Sequence, residues 1–297
     1  MILVAGSANV DFVVRASHIP APGETVLGRG FEIFSGGKGA NQAVACVRAG
    51  GADTAMLVAL GDDLFATTLE NALRSAGVRL HIVRAMGKPT GAAFVCVSDD
   101  AENAITVAPG ANDELRASHL PSLDSITHLL MALETPIETV IAYARAARTG
   151  GVKVVINAAP AQVLSPELLA LIDVLIVNEG ELATVSGQPG GLAESLERID
   201  VPCVVVTLGA KGCCARADGE TILQDAFAVL PIDTTAAGDT FCGVLVAAFG
   251  QGLDLRGALR RATAAGALAC TRLGAQSSIP TYAQVEAFLR AHPATPP

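Results

Sequence analysis

Short apolar runs recur along the chain and alternate with segments that have the spacing of amphipathic helices. The runs have the length of buried strands and lie at residues 2–5, 54–59, 128–131, 152–156, 174–177 and 204–207. Helical patterns separate most of them, at residues 39–49, 64–76, 136–147, 179–186 and 192–199. Strands that alternate with helices form parallel sheets covered on both faces. We therefore predict an α/β fold with a doubly wound, mostly parallel central sheet.

Two stretches break this alternation. Residues 12–34 and 86–107 carry β-favouring residues and turn signals but no helical period. We predict that they form a small antiparallel sheet, inserted as about 12–35 and 86–108, that covers a ligand cleft as a lid. Ordinary surface hairpins are the alternative. The C-terminal part reads as three helices, and with no linker in view we predict a single domain over 1–297.

The composition excludes several classes of protein. The net charge is −9 and no basic tract occurs, which disfavours nucleic-acid binding. A membrane span needs about 20 apolar residues, and the longest uncharged apolar stretch, 240–253, is shorter. The start, MILVAGSANVD, has no basic region typical of a signal peptide. Seven cysteines without a CxxC pair suit a reducing compartment, so we expect a cytoplasmic protein.

The strongest chemical signal is the segment from Asp233 to Asp239, DTTAAGD, followed by an apolar helix. Small residues Ala236, Ala237 and Gly238 open that helix, and its free N–H groups can bind an anion. Asp239 could accept a proton from a hydroxyl next to that anion. This arrangement suits phosphoryl transfer to an alcohol. The alternative for Asp239 alone is an acid that only stabilises the helix terminus.

Two further segments suggest a ligand. The turn GGKG at 36–39 precedes a helix and allows close approach of backbone to a ligand. Asn9 and Asp11 follow the first strand, where an amide and a carboxylate two residues apart can bind neighbouring hydroxyls of a sugar. A turn or cap is the alternative for that pair.

Together these motifs resemble the ribokinase family of small-molecule kinases, also called the phosphofructokinase-B type. The resemblance covers residues 1 to about 290 and includes GGKGANQAVA at 36–45, DTTAAGDTF at 233–241 and TRLGAQSS at 271–278. It implies ATP-dependent phosphorylation of the 5-hydroxyl of ribose, which gives ribose 5-phosphate and ADP. A kinase for deoxyribose, fructose or a nucleoside is the nearest alternative. A non-catalytic sugar-binding regulator is a second, which the intact Asp239 and anion loop disfavour.

The resemblance also implies roles for individual residues. Asp239 would be the catalytic base, and Ala236, Ala237 and Gly238 would form the anion hole. The sugar would contact Asn9, Asp11, Gly37, Lys38, Asn41, Glu134 and an apolar wall of Ala93 and Val107. The ATP site would include Asn178, Thr207, Leu208, Gly209, Ala210, Lys211, Gly212, Gly238 and Thr263.

Two cations and a second subunit complete the implied picture. Glu181 would organise Mg²⁺ through water, although a solvated helix acid is the alternative for this residue. A K⁺ site would involve Asp233, Thr235, Ala269, Arg272, Gly274 and Ser278, several through backbone carbonyls. Asp233 and Ser278 could instead only stabilise their loops by hydrogen bonds. We expect a homodimer formed through the lid, because a small exposed sheet leaves a face or an edge unprotected.

Overall fold

The computed structural model describes residues 1–100, 102–187 and 191–293, which contain thirteen strands and nine α-helices. The predicted ranges 86–108 and 1–297 include positions 101, 188–190 and 294–297, which lie outside the described residues. The strands are β1 (Ile2–Ala5), β2 (Asn9–Arg15), β3 (Phe31–Gly36), β4 (Thr54–Leu60), β5 (Arg79–Arg84), β6 (Gly91–Val97), β7 (Asn103–Ala108), β8 (His128–Ala132), β9 (Lys153–Asn157), β10 (Val174–Asn178), β11 (Cys203–Thr207), β12 (Cys213–Ala217) and β13 (Glu220–Gln224). The helices are α1 (Lys38–Arg48), α2 (Leu64–Ser75), α3 (Ile137–Thr149), α4 (Pro166–Leu171), α5 (Glu179–Val185), α6 (Leu192–Glu197), α7 (Ala237–Gly250), α8 (Leu255–Ala269) and α9 (Tyr282–Ala291).

Nine strands form the central sheet in the order β13-β12-β11-β10-β9-β8-β1-β4-β5. The seven strands from β11 to β5 are parallel, and β12 and β13 extend one edge in the antiparallel sense. All six predicted strands are in this sheet. The predicted doubly wound, mostly parallel architecture is therefore confirmed.

Helices cover both faces of the sheet because successive strand residues point to opposite sides. In β8, Leu130 contributes to one core, which α1, α2, α7, α8 and α9 complete. Its neighbours Leu129 and Met131 contribute to the other core, which α3, α4, α5 and α6 complete. A strand buried on both faces has no polar side, which explains why these strands appear in the sequence as continuous apolar runs.

A separate four-stranded sheet in the order β3-β2-β6-β7, hereafter the lid sheet, is built from the two predicted insertions. Its two hairpins, β2–β3 and β6–β7, are antiparallel as predicted. The central pair, β2–β6, is parallel, so the prediction of an entirely antiparallel sheet is wrong. The reason is topological. β2 follows β1 and β6 follows β5, and these two parallel strands deliver the chain to the same edge of the central sheet.

Four elements were not predicted: β5, α4, β12 and β13. Both ends of β5 carry exposed arginines, Arg79 and Arg84, since it is an edge strand. Helix α4 has only six residues, although Ser165 caps it and Pro166 opens it. Strands β12 and β13 form the other edge hairpin. None of the helices in the described residues is long and apolar enough to cross a membrane.

Candidate active site

Polar side chains gather where the parallel strands end. Asn9 and Asp11 lie just beyond β1, Glu134 just beyond β8, and Asn157 and Asn178 are the last residues of β9 and β10. The carboxyl ends of parallel strands meet at one edge of a sheet, and ligands of open α/β folds bind there. The N-termini of α1 and α7 reach the same region. These polar side chains are therefore brought to one cleft from distant parts of the sequence.

One end of this cleft is formed by the lid sheet. Asp11 in β2 lies opposite Ala93 in β6, and Ala93 lies opposite Val107 in β7. Residues directly opposite each other share a face, so the carboxylate and the two predicted wall residues form a row across three strands. Ala93 is buried, whereas Val107 is 41 % exposed. The row has the polar and apolar character expected for one side of a sugar.

Asn9 is buried beside Asp11 and has a partner that the sequence did not indicate. The Asn112 amide donates to Asn9 Oδ1 at 2.8 Å, and Asn112 Oδ1 accepts the Ala8 N–H at 3.0 Å. Asn112 belongs to a short 3-10 helix at Gly110–Glu114, directly after the lid sheet. These contacts orient Asn9 so that its NH₂ group remains available to a ligand.

Burial is the largest cause that raises the pKa of Asp11 to about 7, and the nearby negative charges of Glu134 and Asp239 contribute to the same shift. A carboxyl group that titrates near neutrality is uncommon and is often found at functional sites. Here the pKa is raised because the carboxyl group is buried at the lid sheet and because two acids outside that sheet, Glu134 and Asp239, lie nearby. The Asp11 carboxyl group is therefore suited to an uncharged partner, such as a hydroxyl group that donates a hydrogen bond.

The GGKG turn is shaped by close contacts with these residues. A Cβ atom on Gly36 would lie 2.0 Å from Asp11 Oδ2, so a side chain there would displace the carboxylate. Gly37 has φ of 89°, and a Cβ atom there would lie 2.7 Å from Ala8 Cα. Only glycine fits both positions without strain. The turn thus brings its backbone directly against Asp11 and Ala8.

Glu134 fastens this turn to the central sheet. Its Oε2 accepts the backbone N–H of Lys38 at 2.9 Å and the hydroxyl of Ser7. The Ser7 oxygen in turn accepts the N–H of Gly39 at 3.3 Å. Glu134 is half-buried, so it is not a solvated surface acid. Ser7, which sequence reasoning did not single out, links Glu134 to Gly39 of the turn.

The Asp239 carboxylate lies at the centre of the cleft and is 8 % exposed. Asn41 Nδ2 donates to its Oδ2 at 3.0 Å, and Gln42 Nε2 donates to its Oδ1 at 3.0 Å. Both donors belong to α1, whereas Asp239 belongs to the first turn of α7. Asn41 was expected to contact the sugar, and here it contacts the predicted base. Gln42 lay within the quoted motif but was given no role.

The N-terminus of α7 opens into the cleft. Its N-cap residue, Ala236, has φ of 58°, a left-handed conformation that is uncommon for a residue with a Cβ atom. The Ala237 N–H donates to Thr234 O at 3.2 Å, whereas the N–H groups of Gly238 and Asp239 donate to no other described residue. A Cβ atom on Gly238 would meet nothing within 4 Å. The predicted anion hole therefore has free amides that face open space.

A cavity of about 220 Å³ adjoins this helix terminus. Lys38, Asn178, Glu181, Thr207 and Asp239 are among the residues that line it. The sequence predicted that Lys38 contacts the sugar as part of the GGKG turn, but its side chain lies in this cavity. Negative charge on Asp239 raises the pKa of the Lys38 ammonium, with further contributions from Glu134 and Glu181, while burial opposes the shift. The cavity is thus lined by one cation, Lys38, and two acids, Asp239 and Glu181.

Asn178 and Glu181 form a capping box at the start of α5. Asn178 Oδ1 accepts the Glu181 N–H at 2.8 Å, and Glu181 Oε2 accepts the Asn178 N–H at 2.8 Å. Burial raises the pKa of Glu181 above its usual value. The spacing therefore has a structural role, and it also holds one carboxylate at the rim of the cavity.

The remaining residues predicted for ATP lie beyond this cavity. Gly209–Lys211 form an exposed 3-10 turn after β11, and Leu208 N–H donates to Gly212 O at 2.8 Å. Gly212 itself is buried against β13, where a Cβ atom would lie 2.0 Å from Gln224 O. Thr263 is buried in α8, and its hydroxyl donates to Leu259 O at 2.8 Å. None of these residues is among those that line the cavity.

The loop before α7 is ordered around Asp233. Its Oδ1 accepts the N–H and the hydroxyl of Thr235, and its Oδ2 accepts the Gly274 N–H at 2.9 Å. Burial opposes ionisation, but these hydrogen bonds outweigh it and lower the pKa of Asp233. Ser278 is fully buried and its hydroxyl donates to Ala275 O at 2.8 Å. The helix residue Ala269 accepts the Arg272 N–H through its carbonyl at 3.3 Å. Five of the six residues predicted for K⁺ thus lie on two adjoining loops, and Ala269 is the last residue of α8.

Comparison with known proteins gives a consistent result. A family model described as pfkB family carbohydrate kinase matches residues 1–282. The chain is 40 % identical to a ribokinase of Haemophilus influenzae over 97 % of this chain and 98 % of that protein. It resembles the structure of ribokinase from Thermotoga maritima with a TM-score of 0.91 at 35 % identity, over 98 % and 99 % of the two chains.

A further solved structure contains ligands. Arabidopsis thaliana ribokinase complexed with ribose and ATP matches with a TM-score of 0.88 at 31 % identity, over 97 % of this chain and 98 % of that chain. Both the family model and these relatives span nearly the full length of the chain. The fold and these relatives are those of a sugar kinase, and the chain belongs to the pfkB family of carbohydrate kinases.

Proposed function

We propose that the protein transfers the γ-phosphoryl group of ATP to the 5-hydroxyl of ribose, and that Asp239 is the catalytic base. One observation supports this most directly. The Asp239 carboxylate, the free N–H groups of α7 and the Lys38 ammonium all face one cavity, next to the polar row of the lid sheet. A base, an anion site and a hydroxyl-binding surface thus adjoin each other. The three ribokinases compared above are 31–40 % identical to the chain.

The proposed reaction follows from this placement. Asp239 accepts the proton of the sugar hydroxyl as the oxygen attacks the γ-phosphorus. The Gly238 and Asp239 amides, at the positive end of the α7 dipole, stabilise the charge on the transferred group. Lys38 stabilises the same charge from the other side. Phosphoryl transfer has a loose transition state, so orientation of these groups contributes more than the strength of the base.

The sugar is held between the lid sheet and the GGKG turn. Asp11 and Asn9 bind hydroxyl groups, the Gly37 and Lys38 backbone and Glu134 contact the same ring, and Ala93 and Val107 cover its apolar side. Neutral hydroxyls can donate to a carboxylate, and a small ring fits a site closed by an apolar wall. These features favour a free pentose over a nucleoside, which carries a bulky base.

A coupled assay of ADP release tests the proposal. Ribose, deoxyribose, fructose and several nucleosides are compared as acceptors with ATP and Mg²⁺, with and without K⁺. We expect ribose to have the highest kcat/KM. A higher kcat/KM for another acceptor would assign the protein to that substrate instead. Tight ribose binding without ADP release would support a sugar-binding regulator and contradict the proposal.

Mg²⁺ fits the donor set at the cavity. Among the described residues, no group of three or more His, Cys, Asp or Glu side chains could hold a metal ion alone. Mg²⁺ usually retains several waters and binds substrate phosphates, with one or two carboxylates. Glu181 supplies one carboxylate of that kind at the rim of the cavity. Asn178 lies beside it and would bind the phosphates. The ion would neutralise phosphate charge there.

We predict that Glu181→Gln raises the Mg²⁺ concentration needed for half-maximal rate by about 10- to 100-fold. Glutamine can still accept the Asn178 N–H, so the capping box and the helix are retained. Rates measured across a magnesium titration at saturating ATP check this. Glu179→Gln is the matched control because Glu179 is an exposed acid in the same helical turn. Equal magnesium dependence in both variants would remove Glu181 from its role.

The loops around Asp233 fit a monovalent cation. Their donors are oxygen atoms only, from the Asp233 carboxylate, the Thr235 and Ser278 hydroxyls and the carbonyls of Ala269, Arg272 and Gly274. Hard cations prefer such ligands. K⁺ would fix the loop that leads into the anion hole. Activation of the wild-type protein by K⁺ over Na⁺ in the assay above is the expected result.

The lid sheet supports a homodimer. Five large apolar side chains of this sheet are more than 40 % exposed: Phe31, Ile33, Phe94, Ile105 and Val107. Its two outer strands, β3 and β7, also have free edges within the described residues. A second lid sheet would bury these groups.

A cytoplasmic location, where thiols remain reduced, suits the seven unpaired cysteines.

We predict that Phe94→Asp combined with Ile105→Asp converts the protein from dimer to monomer. The two residues lie on opposite faces of the lid sheet, so the pair places a charge in an interface on either side. Sedimentation equilibrium at micromolar concentration should give about twice 30.1 kDa for the wild type. Leu223→Asp, at an apolar position in β13 that is more exposed than either Phe94 or Ile105, should leave the dimer intact. A monomeric wild type would contradict the proposal.

A further inference from the structure

Asp239 is oriented by a chain of amide groups that begins in the central sheet. Gln42 Nε2 lies 3.0 Å from Asp239 Oδ1 and 3.1 Å from Asn157 Oδ1. Asn157 Nδ2 lies 3.3 Å from Ile176 O. Gln42 is fully buried and Asn157 nearly so. The chain thus runs from Asp239 through Gln42 and Asn157 to the Ile176 carbonyl. It connects α7, α1, β9 and β10 across more than a hundred residues of sequence.

The chain has a fixed direction. The Ile176 carbonyl can only accept, so Asn157 must turn its NH₂ group toward it and its oxygen toward Gln42. Gln42 must then present its NH₂ group, because its oxygen would face two acceptors, Asn157 Oδ1 and Asp239 Oδ1. Both N–H bonds of Gln42 are used in this way. The backbone of the sheet thereby determines that Asp239 receives a donor.

We propose that Gln42, held by Asn157, is a positioning residue for Asp239, in the sugar-kinase reaction proposed above. With Asn41 on Oδ2 and Gln42 on Oδ1, each carboxylate oxygen has one amide donor. The plane of the carboxylate is fixed, and its remaining lone pairs are directed at the substrate hydroxyl. Donors to both oxygens also stabilise the charged form that accepts the proton. Gln42 touches no substrate and acts only through Asp239.

The test uses Gln42→Met, which keeps the length of the side chain but removes the donor. We expect kcat to fall roughly 10- to 100-fold, as for misplaced catalytic groups, with KM for sugar and ATP within about 2-fold of wild type. Cys46→Ala is the matched control. It lies one turn further along α1, in the same contact with α7, where its thiol meets Gly243 O at 3.2 Å. It should leave kcat unchanged.

The double variant separates positioning from general loss of structure. If Gln42 acts only through Asp239, then adding Gln42→Met to Asp239→Asn should change kcat by less than about 2-fold. An equal loss in both backgrounds would overturn the proposal. Gln42→Leu, which also removes the donor, is a second variant should Gln42→Met fold poorly, and the same loss is expected.

A crystal structure of Gln42→Met provides a readout that does not depend on activity. We expect the Asp239 carboxylate to rotate away from its position in the wild type. An unchanged carboxylate overturns the proposal whatever the rates are. Failure of the sugar-kinase function would look different, because the wild-type protein itself would then release no ADP with any acceptor.

Discussion

Asp239→Asn should lower kcat by roughly 10²- to 10⁴-fold, the usual contribution of a general base. The variant retains the size of the side chain and loses only the group that accepts the proton. The free amides at the α7 terminus remain, so the anion hole can still bind a phosphoryl group. KM for ATP should therefore change little, and the loss should be confined to kcat. Single-turnover measurements at saturating substrates test this directly.

The surroundings can accommodate that substitution. The new amide would present its oxygen to Gln42 and its nitrogen to Asn41. Asn41 can then turn its own Oδ1, which is buried without a hydrogen-bond partner among the described residues, toward the new donor. The matched control is Glu138→Gln, because Glu138 is also an acid in a first helical turn but lies exposed on α3. A variant of Asp239 with wild-type turnover would refute its role as base.

The sequence predicted the central sheet well because burial on both faces leaves a simple signature. Strands such as β4 and β10 are continuous apolar runs. The elements that were missed lie at the margins, where one face is exposed and charged residues interrupt the run, as Arg79 and Arg84 do in β5. The pairing inside the lid sheet was also missed, because the parallel β2–β6 contact depends on where β1 and β5 end in space.

At the candidate site, the sequence predicted the local geometry where a local motif determines it. The GGKG turn and the AAGD helix terminus need small residues in a fixed order, and both occupy the expected places. Contacts between distant segments could not be derived from one sequence. Gln42 and Asn157 are 115 residues apart and Asn112 and Asn9 are 103 apart. The usable signal was a polar residue at the carboxyl end of a parallel strand, which Asn157 satisfies.

Lys38 illustrates a different limit. Its backbone belongs to the GGKG turn and donates to Glu134, but its side chain extends into the cavity of Asp239 and Glu181. A residue in a motif can thus serve two neighbouring sites, one through its backbone and one through its side chain. The motif specifies only the backbone.

Asp11→Asn should weaken sugar binding and stabilise the sugar-free protein at the same time. A hydrogen bond to a charged group contributes about 1.5–3 kcal/mol, so KM for ribose should rise roughly 10- to 100-fold with little change in KM for ATP. Burial, Glu134 and Asp239 make the charged form of Asp11 unfavourable in the folded protein. An amide of the same size removes that cost. Function and stability are therefore opposed at this residue.

The sign of the pH dependence follows from the raised pKa. The folded protein binds the Asp11 proton up to about pH 7, whereas the unfolded chain releases it near 3.8. Stability is thus lost as pH rises through this window and stays low above it. The gain from Asp11→Asn should be largest at about pH 8, up to roughly 4 kcal/mol as an upper bound, and fall by more than half at about pH 5. Denaturant unfolding at both pH values measures it.

The same titration predicts the behaviour of the wild-type enzyme toward its sugar. As pH falls below about 7, Asp11 takes up a proton and loses its charge, so KM for ribose should rise in the wild type but stay flat in Asp11→Asn. Glu32→Gln is the control, since Glu32 is an exposed acid on the same face of the lid sheet. It should change neither stability nor KM. If Asp11→Asn destabilised the protein at pH 8, the charged carboxylate would be a favourable part of the fold, and the opposition between binding and stability at this site would not exist.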